Sequence, residues 1–261
     1  MPETIAVVNQ KGGVGKTTTS INLAAYLTYF GKRVLIVDID SQGNASSGLG
    51  IDYKNLDHGM YEVIIPGPIN MKKIILSTNL EGLHIAPSTP NLAGASVDLV
   101  HLDQREYRLL HNLEEIYDYY DFILIDCPPS LGLITINALV AADYVLIPVQ
   151  CEYYALEGLG QLLNTVGLIK ENLNDRLNVL GAVLNMYDKR NRLSEEVFNE
   201  LYKYFPNKIF RTVIPRTVRL AEAPSHGKSI LDYDPRSVGA KAYERLAREI
   251  LTSYDDLKTR I

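Results

Sequence analysis

A glycine-rich segment with two lysines is the part of this sequence whose residue types and spacing are most suited to chemistry. Three glycines without a Cβ let backbone N–H groups point into a concave nest, and a helix starting near Lys16 adds the positive end of its dipole. The Lys16 ammonium supplies full charge, and the Thr17 hydroxyl is placed to bind Mg²⁺. The segment therefore predicts a site for a nucleoside triphosphate with Mg²⁺, made by Lys11, Gly12, Gly13, Val14, Gly15, Lys16, Thr17 and Thr18.

This segment departs from the usual phosphate-loop (P-loop) pattern, in which four residues separate a first glycine from Gly-Lys-Ser/Thr. The first glycine would stand at position 10, where this chain has Gln10. Gly12 and Gly13 compensate for it, and Lys11 adds a second cation. The alternative is a glycine-rich turn that binds nothing. A buried strand before the turn and a helix after it favour phosphate binding.

Three aspartates follow apolar runs and are candidates for the reaction chemistry. Asp126 ends the run 122–125 and is placed to hold a metal-bound water. Asp38 and Asp40 follow the run 33–37, and ligands of open α/β sheets bind beyond the carboxyl ends of strands. Asp40 is the better candidate to orient an attacking water and contact the metal, with Asp38 as its supporting partner. The alternatives are a helix cap for Asp126 and turn residues for the other two.

The elements that must position these residues alternate between short apolar runs and helical periodicity. Continuous apolar runs are typical of parallel strands buried on both faces, and alternation with helices predicts a parallel sheet with helices on both sides. We therefore predict an α/β fold, a single doubly wound domain over residues 1–261, with irregular short helices at 51–75. The expected strands are 4–8, 33–38, 83–86, 122–126, 144–149, 178–184 and 209–214, and the expected helices are 16–30, 105–117, 132–142, 156–172 and 194–204.

The composition is that of an ordinary globular protein, with 46% hydrophobic and 22% charged residues. Two cysteines, Cys127 and Cys151, indicate no disulfide framework. With no signal peptide and no apolar run of membrane-spanning length, we expect a cytoplasmic protein. The net charge of −5 argues against a nucleic-acid partner, but residues 185–250 hold more lysine and arginine than acid.

Five segments together resemble the ParA/MinD ATPases, and in particular their Soj branch of chromosomal ParA proteins. Residues 11–18 resemble the deviant Walker A motif, 38–45 the switch I segment, and 126–132 the Walker B and switch II segment. Residues 148–158 and 214–228 are similar to the Soj branch. Ser41 replaces a usual proline, which should alter loop stiffness more than chemistry. We expect no helix-turn-helix extension, since the P-loop begins almost at the N-terminus.

The resemblance implies a partitioning ATPase that acts as a nucleotide-controlled switch with slow hydrolysis. Lys16, Asp40 and Asp126 would serve ATP hydrolysis, with Thr17, Asp40 and Asp126 around Mg²⁺. Lys11 would cross the interface of an ATP-bound homodimer and touch the partner's phosphates, with contact to its own ATP as the alternative. The adenine would lie near Asn185, Met186, Pro215 and Arg216.

The same resemblance implies non-specific binding of double-stranded DNA, because dimerisation pools weak cations on one surface. It also implies a ParB/Spo0J-like protein that stimulates hydrolysis, association with the nucleoid, and no membrane partner. The candidate DNA contacts are Lys189, Arg190, Arg192, Arg216 and Arg219, with Arg245 and Arg248 as further possibilities.

Three other functions stay open at this stage. A MinD-like membrane ATPase needs a basic amphipathic C-terminal helix, whereas the tail here has the adjacent acids Asp255 and Asp256. An iron–sulfur reductase needs cysteines on loops at a dimer axis. A small-molecule kinase needs an acceptor pocket.

Overall fold

The computed structural model describes residues 1–151, 158–188, 201–203, 205–206 and 208–258. Its strands are β1 (Glu3–Val7), β2 (Val34–Asp38), β3 (Leu76–Ser77), β4 (Leu83–Ala86), β5 (Phe122–Asp126), β6 (Tyr144–Gln150) and β7 (Asn178–Asn185). Its α-helices are α1 (Lys16–Tyr29), α2 (Asn44–Gly48), α3 (Met60–Ile64), α4 (Met71–Ile74), α5 (Leu92–Asp98), α6 (Arg108–Glu114), α7 (Leu133–Ala141), α8 (Leu159–Asn172), α9 (Val218–Glu222), α10 (Ile230–Tyr233) and α11 (Val238–Lys258).

The strands form one sheet in the order β3-β4-β2-β5-β1-β6-β7. Every described pair is parallel except β3 with β4. The register aligns Asp126 with Val7 on one side and with Asp38 on the other. Because the strands are parallel, the segments that follow β1, β2 and β5 leave the same edge of the sheet. This edge carries the glycine-rich segment predicted to bind phosphate, together with the three candidate aspartates.

Helices cover both faces of the sheet, and alternate residues of one strand enter opposite layers. In β2, Val34 and Ile36 pack into the layer that contains α1 and α11, while Leu35 and Val37 pack into the layer of α6, α7 and α8. This burial on two sides is why the strand runs are apolar without alternation. The predicted α/β fold with a mostly parallel sheet between helices is confirmed.

The prediction of a strand at 209–214 is wrong, and the seventh strand of the sheet is the short β3 instead. The segment 209–214 lies beside β7 and exchanges bonds with it, Phe210 N to Ala182 O at 3.0 Å and Ile214 N to Leu184 O at 2.8 Å. Isolated bridges join Ala182 to Ile209 and Tyr187 to Pro215. The outer segment therefore has one residue more than β7 between the bridges, which breaks the continuous ladder.

Other boundaries differ by less. Helix α6 covers only part of the expected 105–117 and is followed by a separate 3₁₀ turn at Tyr117–Tyr119. The short helices expected within 51–75 are present, whereas the two-residue strand β3 was not foreseen. Most of the helix expected at 194–204 lies outside the described residues, although 201–203 are helical. Throughout the described part of the chain, every helix is too short or too polar to cross a bilayer.

Candidate nucleotide site

The segment between β1 and α1 is a tight loop whose conformation depends on two glycines. Gly13 and Gly15 have φ values of 74° and 89°, the left-handed region that favours glycine. Gly15 caps α1, and the first helical bond runs from Thr19 N to Gly15 O at 2.9 Å. The N–H groups of the first turn thus have no acceptor within the helix and are available to an anion.

This loop forms one wall of a cleft of about 580 Å³. Asp40, Gln42 and Asn44 line it from the segment that follows β2. Pro129 contributes from beyond β5, and Ser225 from the C-terminal part of the chain. Its place at the carboxyl edge of the parallel strands and its size are typical of small-molecule sites in α/β proteins.

Lys16 lies at the base of the cleft and is only 7% exposed. Its Nζ donates to the Lys11 carbonyl at 3.2 Å. Burial lowers the pKa of the Lys16 ammonium, and the charges of Asp126 and Asp40 oppose that shift. A cation held here beside backbone donors can balance the charge of a bound phosphate chain.

Asp126 connects the end of β5 to the first turn of α1. Its Oδ2 accepts from Thr17 Oγ1 at 2.8 Å, and its Oδ1 accepts from Ser20 Oγ at 2.8 Å. The carboxyl is fully buried, and that burial raises its pKa to about 6. Ser20 was not among the predicted residues, although it stands three positions after Thr17 and so on the same helical face.

Asp38 and Asp40 have different surroundings. Asp38 is fully buried and accepts from Ser46 N at 2.8 Å, Ser46 Oγ at 2.7 Å and Asp40 N at 3.2 Å. Burial and the neighbouring Asp126 charge raise its pKa to about 7. Asp40 lines the cleft, and its Oδ1 accepts from Gln42 N at 3.0 Å. Asp38 therefore holds the loop and α2, while Asp40 faces the space where a reaction would occur.

The residues present fit a Mg²⁺ ion that is held largely by nucleotide and water oxygens. Within the described residues, no three His, Cys, Asp or Glu side chains cluster as a metal site made by protein alone. Thr17 and Asp126 instead offer one hydroxyl and one carboxylate at the phosphate loop, the oxygen ligands that Mg²⁺ prefers beside phosphates.

The four residues expected near adenine separate in the structure. Met186, with a φ of 54°, lines the cleft. Asn185 lies beneath the loop, where its Nδ2 donates to Val14 O at 2.8 Å and its side chain fills the space next to Gly15. Pro215 and Arg216 line a second groove. The structure thus gives Asn185 a supporting contact that sequence reasoning missed, and the adenine contacts stay predictions.

The second groove, of about 1270 Å³, lies between the segment 208–216 and α11. It contains more cations than acids, in a chain whose net charge is −5. The acids are Asp188 and Glu249. The cations are Lys208, Arg211, Arg216, Arg245 and Arg248.

Of the predicted DNA contacts, Arg216 lies in this groove and Arg219 lies among acids. Arg219 Nη1 is 3.1 Å from Glu222 Oε2, and Arg219 Nε is 3.5 Å from Asp234 Oδ2. The hydrogen bond to Glu222 raises the pKa of Arg219. Lys189, Arg190 and Arg192 lie outside the described residues.

Comparison with known proteins agrees with this geometry. A family model described as an AAA domain matches residues 2–179. The sporulation initiation inhibitor protein Soj of Bacillus subtilis is 56% identical over 250 residues, which cover 96% of this chain and 98% of that protein. The chromosome-partitioning ATPase Soj of Treponema pallidum is 49% identical over 253 residues, with 96% and 98% covered.

A solved structure gives the same result for the fold. Cobyrinic acid a,c-diamide synthase from Mycobacterium smegmatis, crystallised with an ATP analogue and magnesium, superposes with a TM-score of 0.87. It is 36% identical in sequence, with 98% of this chain and 96% of that chain covered. With the phosphate loop, the aspartates of β2 and β5 and these full-length similarities, the chain belongs to the Soj/ParA family of chromosome-partitioning P-loop ATPases.

Proposed function

We propose that this chain is a DNA-partitioning ATPase, a switch that ATP closes into a homodimer and that hydrolysis reopens. The observation that carries the proposal is the convergence of Lys16, Thr17 and Asp40 on one cleft at the carboxyl edge of the sheet, with the buried Asp126 bonded to Thr17. The Soj relatives, more similar in sequence than the synthase, favour partitioning over small-molecule synthesis.

In this proposal each residue has one task in the hydrolysis of ATP to ADP and phosphate. Lys16 and the N–H groups of residues 12–18 bind the phosphate chain. Thr17 and Asp126 would hold Mg²⁺ and its water, and the bound ion would supply positive charge beside the phosphate oxygens. Asp40 orients the attacking water, which it can do from its place in the cleft wall.

Lys11 is proposed to act across the dimer interface. It stands at the opposite end of the loop from Thr17 and would reach the partner's phosphates when two subunits close over ATP. A cation from the second subunit lowers the repulsion between the two triphosphates, a role similar to that of an arginine finger. A monomer in a saturating non-hydrolysable ATP analogue and Mg²⁺ would contradict this step.

The amphipathic helix α11 argues against the membrane alternative. Its apolar residues Tyr243, Leu246 and Ile250 are buried in the protein's own core, against the layer of α1. A helix that binds a bilayer must present its apolar face to lipid. In the described part of this chain that face is occupied as far as Ile250, so we propose DNA in the nucleoid, and not a membrane, as the surface that the dimer binds.

The basic groove is the part of the described structure that best fits a phosphate backbone. Two copies in a dimer would double its cations, so that ATP controls affinity through the number of phosphates contacted. Because such contacts carry no base readout, binding should not depend on DNA sequence. A ParB/Spo0J-like protein would then stimulate hydrolysis and release the DNA.

The test is a titration of fluorescent duplex DNA with ATP, with ADP and without nucleotide, at several salt concentrations. Light scattering on the same samples reports the oligomeric state, and Lys16→Ala serves as the nucleotide-binding control. We expect tight DNA binding only in the samples with ATP, and we expect the protein to be a dimer in those samples. DNA affinity that is equal in all three nucleotide states would overturn the switch.

The groove is tested by Arg211→Glu with Arg245→Glu. The matched control is Arg33→Glu with Arg105→Glu, because those arginines are exposed elsewhere and pair with Asp121 and Glu106. The groove variant should keep ATP-dependent dimerisation and bind DNA with a shallower salt dependence, by about one unit of log slope for each DNA phosphate that is no longer neutralised. Equal DNA binding by the two variants would mean that the DNA surface lies elsewhere.

A further inference from the structure

The hydrogen-bond ladder between β1 and β6 ends in an unusual way at Asn9. Val8 N donates to Leu146 O at 3.1 Å. In a regular parallel ladder the next donor to β6 is the backbone N–H two residues later, at Gln10. Here the Asn9 side chain takes that place, and its Nδ2 donates to Pro148 O at 2.8 Å. The sheet contact thus continues through a side chain while the backbone turns into the phosphate loop.

The other end of the same amide holds Lys11. Asn9 Oδ1 accepts from Lys11 N at 3.0 Å, and the Lys11 carbonyl accepts from Lys16 Nζ at 3.2 Å. Asn9 is buried, with 6% of its surface exposed. The backbone of Lys11 is therefore fixed on its N–H side to the central sheet and on its carbonyl side to the phosphate-binding lysine.

A primary amide is the side chain that this position needs. It must donate to a carbonyl and accept from an N–H at the same time, through the two polar atoms of one short side chain. Aspartate cannot donate when ionised, and alanine can do neither. Serine can accept from the N–H two residues later, as in local turns, but has no second group that reaches Pro148.

We propose that Asn9 is a positioning residue for Lys11, which sets the direction in which this lysine leaves the loop toward the second subunit. The inference rests on the proposed function, since it needs the ATP dimer in which Lys11 acts. The remainder of the loop has separate support, because Asn185 holds Val14 and Gly15 caps the start of α1. Loss of Asn9 should therefore affect dimer closure more than nucleotide binding by one subunit.

The experiment compares Asn9→Ala, Asn9→Ser and Lys11→Ala in the full chain with the parent protein. Sedimentation with a non-hydrolysable ATP analogue and Mg²⁺ gives the dimerisation constant, and a fluorescent ATP analogue at low protein concentration gives the affinity of a single subunit. We expect Asn9→Ala to weaken dimerisation by about tenfold or more, as Lys11→Ala does, with nucleotide affinity within about threefold of the parent.

Asn9→Ser separates positioning from general stability. Both Asn9 variants lose the bond to Pro148 and should melt at similar temperatures, but serine keeps an acceptor for Lys11 N. We therefore expect serine to restore most of the dimerisation that alanine removes. If Asn9→Ala and Asn9→Ser dimerise equally weakly, dimerisation depends on the sheet contact and not on the bond to Lys11. That result would overturn the proposal.

Two further outcomes distinguish this inference from the proposed function. If Lys11→Ala abolishes the dimer and Asn9→Ala does not, only the role of Asn9 is wrong. If Lys11→Ala dimerises as the parent does, the cross-subunit role of Lys11 fails, and the inference fails with it.

Discussion

The support beneath the phosphate loop can be measured with three glycine substitutions that differ by one physical factor at a time. At Gly12 an added Cβ meets nothing within 4 Å, and the backbone does not have a left-handed φ. At Gly13 the space is equally open, but φ is 74°. At Gly15 φ is 89°, and a Cβ would overlap the side-chain amide of Asn185. Alanine therefore introduces neither backbone strain nor overlap at Gly12, backbone strain alone at Gly13, and both strain and overlap at Gly15.

The expected changes in the free energy of unfolding follow from these differences. Gly12→Ala should be within about 0.5 kcal/mol of the parent. A left-handed alanine is strained by about 1–2 kcal/mol, partly offset because alanine also restricts the unfolded chain, so Gly13→Ala should be destabilised by about 1 kcal/mol. Gly15→Ala must also displace Asn185 from Val14 O and leave a buried carbonyl without its donor. The total expected destabilisation there is about 2–4 kcal/mol.

Urea unfolding without nucleotide, followed by circular dichroism, measures the free energy of unfolding of all three glycine variants. A double variant tests whether Asn185 is the side chain that overlaps with the new Cβ. Adding Asn185→Ala to Gly15→Ala removes the overlap but keeps the strain, so the two changes should be less destabilising together than their sum by about 1 kcal/mol. Equal stability of Gly13→Ala and Gly15→Ala would refute the reasoning, because Asn185 would then not press on the loop. Additivity of the double variant would refute it as well.

Two further predictions concern the aspartates. Asp40→Ala should reduce ATP turnover by about 10²-fold or more while leaving an ATP-bound dimer visible by light scattering; unchanged turnover would remove Asp40 from the mechanism. The folded-state pKa values of Asp38 and Asp126, raised by burial to about 7 and about 6, lie above the unfolded values near 4. The folded protein therefore holds more protons between about pH 4 and 7, and its free energy of unfolding should fall as pH rises through that window, by up to about 1.4 kcal/mol per pH unit for each proton. Asp38→Asn should flatten this slope in urea unfolding, and an unaltered slope would mean that Asp38 ionises normally.

The parts of the site that could be predicted are those whose residues are neighbours in sequence. The loop from Lys11 to Thr18 carries its own signal, because glycines, lysine and a helix start occur within eight positions. Asp126 could be found because it ends a buried run, and the parallel sheet follows from apolar runs separated by helical periodicity. Each of these inferences needs only local pattern and the rule that strand ends meet at one edge.

The distribution of charge in space was harder to predict. The sequence shows Arg219 as one cation in a mildly basic region, and Glu222 three residues later as its neighbour. Asp234 is brought to Arg219 only when α10 folds back on α9. Counting cations along the chain therefore overstates how available Arg219 is, whereas Arg216 and Arg245 meet in one groove from segments about thirty residues apart.

The side-chain amides that support the loop could not be predicted from the periodicity of the sequence. Asn185 bonds Val14 across 171 residues, and Asn9 bonds Pro148 across 139. Both contacts depend on β6 lying next to β1 and β7 next to β6, and apolar runs do not encode that order. Once the order is known, the need for an amide follows at each place, since a loop leaving a sheet exposes backbone groups that the ladder no longer satisfies. The residues that bind phosphate are thus recognisable from the loop itself, while those that fix its shape are defined by the sheet beneath it.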